Sequence, residues 1–180
     1  MVGTKLEDLR SEILKYIGIP YHTNRPKKIS PNAVDIGKGN AKEIALKTIE
    51  LANLQNIKLV NLSPQQIYNF QKKNKIGIDC SGLICHLLNF YFDTKLNVRH
   101  TSADMLTSSP LSQKIDFKDL KTADLIRQKN GHHTLFIIEK IGNKIIYVDS
   151  SLTGRGVRYG EFDITDKNFP NNGAFRLNLS

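Results

Sequence analysis

The stretch Gly77-Ile78-Asp79-Cys80-Ser81-Gly82-Leu83 sets a cysteine where a glycine-flanked loop meets an apolar run. Leu83, Ile84, Leu87, Leu88 and Tyr91 recur at helical spacing, so a helix is expected to begin at or beside Cys80. Asp79 and Ser81 are its capping candidates. A helix amino end carries partial positive charge, which favours a thiolate over a thiol, so Cys80 reads as a nucleophile. The competing reading is a small buried hydrophobe, the ordinary fate of a free cysteine.

Upstream, Thr4-x-x-Glu7 is a capping box ahead of Leu6, Leu9, Ile13, Leu14 and Ile17. A first helix is expected to run to about Ile17 and to end at Gly18. Pro20 forbids further helix in Ile17-Gly18-Ile19-Pro20-Tyr21. A Pro/Lys/Gly-rich loop over 25–39 follows. A helix over 41–55 capped by Asn40 comes next, and another begins at Ser63-Pro64-Gln65-Gln66, a capping box with proline at the first helical position.

Downstream of the cysteine helix, residues 98–104 read as a loop starting a short helix. The apolar period then changes from helical to alternating. Strands are expected at 124–127, 132–139, 144–149, 156–159 and 174–177, with a hairpin turn at Ile141-Gly142-Asn143-Lys144. Helices followed by an antiparallel meander make the chain α+β.

The 180 residues suit one domain, and 39% hydrophobic with 24% charged residues is ordinary for a water-soluble globular chain. No apolar run approaches the ~20 residues of a membrane span. The first 18 residues read as an amphipathic helix with acidic side chains, not as a signal peptide. Cys80 and Cys85 lie on one helix and face different directions, so no disulfide is expected, and Cys85 reads as core. The net charge is +9, and residues 22–75 carry ten Lys/Arg against three Asp/Glu, or +7. Without aromatic interleaving or a nucleic-acid motif, this basic bias reads as solvated surface, and no nucleic-acid partner is expected. His22, His86 and His100 lack ligand spacing with the cysteines, so neither zinc nor another metal is expected, and no cofactor is.

Residues 77–83 closely resemble the cysteine signature of the NlpC/P60 cysteine peptidases, papain-like endopeptidases and amidases of the cell wall. Other stretches extend the resemblance. Gly18-Ile19-Pro20-Tyr21 is similar to the family's G-x-P-Y segment. Val98 to Asp104 loosely resembles its R-T-S segment. Gly131-His132-His133-Thr134-Leu135-Phe136-Ile137 resembles its G-H-V-G-I-Y-I, and Ile145-Ile146-Tyr147-Val148-Asp149 its strand with a third polar residue. Ala123 replaces a common glycine before Asp124-Leu125. The usual Gly-Gly after the tyrosine is absent, and 58 positions separate Tyr21 from Asp79 (79 − 21).

The resemblance implies a papain-like NlpC/P60 fold: amino-terminal helices packed on an antiparallel sheet of about five to six strands. It implies one catalytic domain over 1–180, with 22–76 as a helical insertion or lid. Cys80 would be the nucleophile, His132 the base and Asp149 the orienting acid. Periodicity alone does not choose between His132 and His133; the motif register points to His132. Tyr21, Asp79 and Ser81 would serve substrate binding or the oxyanion. The implied activity is hydrolysis of peptidoglycan stem peptides, of the γ-D-glutamyl to diamino acid type. Two other readings remain open at this level. One is an amidase or acyltransferase acting on a substrate outside the wall, and the other is a binding module on the same scaffold. Location follows the choice: outside the cytoplasm for a wall hydrolase, cytoplasmic otherwise.

Overall fold

Thr4 opens helix α1 (Lys5–Leu14): its hydroxyl accepts from the Glu7 N–H, and the Glu7 carboxylate takes the Thr4 N–H at 2.7 Å. The computed structural model of the chain describes residues 4–24, 32–128 and 132–179. Residues 25–31 of the loop expected over 25–39, and Gly131 of the histidine motif, lie outside them. The same reciprocal capping starts α2 (Ala41–Leu54) at Asn40 with Glu43, and α3 (Pro64–Lys73) at Ser63 with Gln66. Helix α4 (Cys80–Phe92) begins at the cysteine itself, and a short α5 (Ala103–Leu106) follows.

The remaining chain forms one antiparallel sheet. Its strands are β1 (Ser112–Ile115), β2 (Leu125–Gln128), β3 (His133–Ile141), β4 (Lys144–Ser151), β5 (Gly156–Asp163) and β6 (Ala174–Leu177), in the order β1-β6-β2-β3-β4-β5. The architecture is α+β, as read from the sequence. Side chains alternate across the sheet. Phe136, Ile138, Val148 and Val157 pack with Leu83, Ile84, Leu87 and Leu88 of α4 and with Leu9 and Ile13 of α1. Leu135, Ile137, Ile145 and Phe162 face the other way, into a second cluster with Leu120 and Ile126.

Two features of this scaffold position the site. Tyr21 forms an isolated parallel bridge with Ile78, which ties the Pro20-Tyr21 connector to the residues just before Cys80. Residues of the stretch between them, Val34, Ile44 and Ile76, are buried in the same core as α4, so its described part is packed into the domain.

Candidate active site at the amino end of α4

Asp79 caps α4: its Oδ1 accepts from the Gly82 N–H at 2.6 Å. Leu83 N–H binds the Asp79 carbonyl at 3.1 Å. The Cys80 N–H therefore has no carbonyl acceptor within the helix, and the Ser81 N–H is directed at the Cys80 sulfur. Cys80 itself is 5% exposed.

The nucleophile candidate sits where two strands part. Strands β3 and β4 stay paired only up to Phe136 and Val148, whereas β4 continues beside β5 to Ser151 and Gly156. The segment before and including Cys80 enters this fork. On one side the Thr134 backbone N–H is directed at the Cys80 sulfur. On the other the Ser150 hydroxyl donates to the Ile78 carbonyl at 2.7 Å. The fork is bridged by a buried pair, His133 Nε2 to Asp149 Oδ2 at 2.8 Å. Asp149 Oδ1 is buried without a hydrogen-bond partner, and the Arg158 guanidinium stands 3.7 Å from it.

Burial pushes the Cys80 thiol up to about 11, and the adjacent Asp79 carboxylate adds to the rise. The Thr134 N–H, the Lys38 ammonium and the Ser81 N–H pull in the opposite direction and lose. The helix amino end alone thus does not make a resting thiolate.

A cleft of about 560 Å³ opens over this end of α4, and Tyr21, Asp79, Cys80, Ser81 and His132 all line it. Five of the six residues expected at the site are therefore brought together. The sixth, Asp149, is not in the cleft wall; it lies behind it, bonded to His133. His132 is exposed in the turn before β3. The carboxylate expected to orient His132 is thus engaged by the neighbouring imidazole.

One residue of the site had no signal in the sequence. Lys38 lines the cleft, and its ammonium reaches Asp79 Oδ1 at 3.0 Å, the Ser81 hydroxyl, and the Thr101 carbonyl at 3.1 Å. A single lysine in a loop 42 positions before the cysteine (80 − 38) carries no motif; only the tertiary fold shows its place.

No family model matches the chain. No curated protein matches it. Among solved structures it is similar to that of the peptidoglycan hydrolase RipB (Rv1478) from Mycobacterium tuberculosis. The identity is 15%, over 95% of this chain and 63% of that one, with a TM-score of 0.45. The chain thus spans less than two thirds of that structure.

Among the described residues no group of three His, Cys, Asp or Glu could hold a metal ion, and no helix is long and apolar enough to cross a membrane. The arrangement present is a thiol at a helix amino end, an imidazole lining the same cleft, and a buried imidazole-carboxylate pair on the adjoining strands. These are the parts that thiol-dependent acyl transfer requires.

Proposed function

We propose that the chain is a cysteine peptidase or amidase that forms an acyl-enzyme on Cys80, and that its substrate is a peptidoglycan stem peptide. The observation that carries the chemistry is the fork. Cys80 lies against the His133–Thr134 peptide, and His133 is in turn bound by the Asp149 carboxylate at 2.8 Å. In this reading they serve as the nucleophile, base and orienting acid of a triad. Asp149 occupies Nε2, which leaves Nδ1 of His133 as the free ring nitrogen, while His132 lines the cleft with Cys80. The substrate class rests on the resemblance of residues 77–83 to the NlpC/P60 signature, with the bond from γ-D-glutamyl to a diamino acid as the target.

A thiol that ionises at about 11 is ionised in only about one molecule in 10⁴ at neutral pH. A base must therefore take its proton as the substrate arrives. His133 accepts the proton, Asp149 stabilises the imidazolium, and Sγ attacks the amide carbon. The carbonyl electron pair moves to oxygen, where the Cys80 N–H, assisted by the Tyr21 hydroxyl, stabilises the oxyanion. When the pair returns, the C–N bond breaks and the imidazolium protonates the leaving amine. Water, deprotonated by His133, then releases the acid and restores the thiol. Asp79 and Ser81 serve as binding residues at the rim. His132 contributes to the cleft wall.

The test is hydrolysis of purified muropeptides, followed by chromatography, with single variants. Cys80→Ala abolishes cleavage. His133→Ala costs about 10²- to 10⁴-fold, the range of a general base, while His132→Ala stays within about tenfold. The opposite ranking would move the base to His132. If the wild-type protein leaves muropeptides intact while a thiol probe labels Cys80, the chemistry stands and the substrate lies outside the wall.

A further inference from the structure

The segment between Tyr21 and the cysteine supplies a side chain that the reaction above does not use. Lys38 is 8% exposed, and the three N–H bonds of its ammonium match three acceptors on Asp79, Ser81 and Thr101. Its backbone is equally fixed. The His86 ring binds the Lys38 carbonyl at 3.0 Å, and the Asp79 N–H donates to the Gly37 carbonyl at 2.9 Å. Gly37, at φ +76°, lies so close to the connector that an added Cβ would stand 2.0 Å from the His22 carbonyl oxygen. The loop therefore delivers the ammonium to one place.

That place matters because of Asp79. Its carboxylate is the cap that α4 needs, yet as a negative charge adjacent to Cys80 in a water-poor site it opposes formation of the thiolate. An ammonium 3.0 Å from the carboxylate works against that opposition. We propose that Lys38 is a positioning residue for the nucleophile: it neutralises the Asp79 cap and so lets Cys80 ionise while α4 keeps its cap. This rests on the reading of Cys80 as a nucleophile.

The charged and titratable groups around Cys80 are Asp79 and Cys85 on its own helix, Lys38 from the loop before α2 and His132 across the cleft, with the His133–Asp149 pair behind the cleft wall. Only differences between variants can isolate one of them. The experiment is the pH profile, from 6 to 11, of iodoacetamide alkylation at Cys80. Mass spectrometry reads Cys80 separately from Cys85. The folded full-length chain is compared with Lys38→Met, Lys38→Arg, Asp79→Asn and the double variant Lys38→Met/Asp79→Asn. Lys38→Met is expected to move the midpoint up and to slow alkylation at neutral pH at least tenfold. Lys38→Arg recovers most of the rate. Asp79→Asn moves the midpoint down, and the double variant returns to within about threefold of wild type, because a neutral pair replaces an ionic one. A buried carboxylate left alone can unfold the chain, in which case the comparison is Asp79→Asn with the double variant. The proposal expects the double variant to titrate at higher pH than Asp79→Asn. Coincident profiles for wild type and Lys38→Met, or for those two variants, overturn it. A folded wild type whose Cys80 never reacts removes both this inference and the nucleophile reading. Intact muropeptides together with the expected shifts remove only the substrate.

Discussion

The Asp149 carboxylate binds His133, not His132. An antiparallel hairpin without irregularity, turning at Gly142-Asn143 from the pair Ile141 and Lys144, would set Asp149 opposite Phe136 and on the face of His132. The register shift between Ile137 and Glu139 moves the pairing by one residue. Phe136 then faces Val148, Asp149 comes level with Leu135, and its side chain shares a face with His133. Cys80 and its cap were legible because a helix start is a local pattern. Which of the two histidines Asp149 binds was not, because a single bulge inverts the face and leaves no mark in Thr134 to Glu139. Only one oxygen of Asp149 is hydrogen-bonded, and its guanidinium neighbour is about half exposed. Removing the carboxyl group therefore frees the imidazole, whereas an amide can still accept from Nε2–H. Asp149→Ala is expected to lower kcat/KM for muropeptide cleavage by about 10²-fold or more. Asp149→Asn should lose distinctly less, with steady-state kinetics as the measure. Equal losses would mean that His133 does not depend on this bond for its orientation.

At the scale of elements, the helices were readable from their caps and the strands from alternation, while boundaries and one edge were not. Helix α1 stops at Leu14 because the last turn tightens: Lys15 N–H bonds Glu12 and Tyr16 N–H bonds Ile13, three residues back. Strand β1, Ser112–Ile115, is short and mostly polar, and among the described residues it pairs only with β6; four residues at a sheet edge offer little period to detect. The contact between α4 and the Lys38 loop has a sharper signature. A Cβ added at Gly82 would lie 2.7 Å from the Gly37 carbonyl oxygen and 3.2 Å from Asp79 Oδ1. Alanine gains up to about 1 kcal/mol in helix propensity, but a clash with a fixed backbone carbonyl costs about 1–3 kcal/mol. Gly82→Ala is therefore expected to lower the urea midpoint and to slow Cys80 alkylation together, since the loop it displaces carries Lys38. A midpoint raised by the substitution would show that this loop yields easily and does not fix the ammonium.

Across the whole molecule, the helix that begins at Cys80 runs through the middle of the main core, and it carries two buried thiols there. Burial pushes Cys80 up to about 11 and Cys85 up to about 12, against an ordinary value of 9.0. Tyr16, also in that core, is raised well above its ordinary 10.0 by burial. In each case the folded chain holds the proton more tightly than the unfolded one. The stabilisation is complete below pH 9 and is lost as pH climbs through the folded values. The two-unit rise at Cys80 alone corresponds to about 3 kcal/mol between pH 9 and 11. The onset separates the groups: loss beginning near 9 belongs to the thiols, and Tyr16 joins above 10. Urea denaturation at a series of pH values should show stability falling steeply from pH 9 upward. The double variant Cys80→Ala/Cys85→Ala should stay level to about pH 10 and fall only beyond it. A double variant as alkali-sensitive as the parent between pH 9 and 10 would mean that Cys80 ionises in the folded chain near its ordinary value. Under the proposed mechanism Cys80 would then need less help from a base than its burial implies.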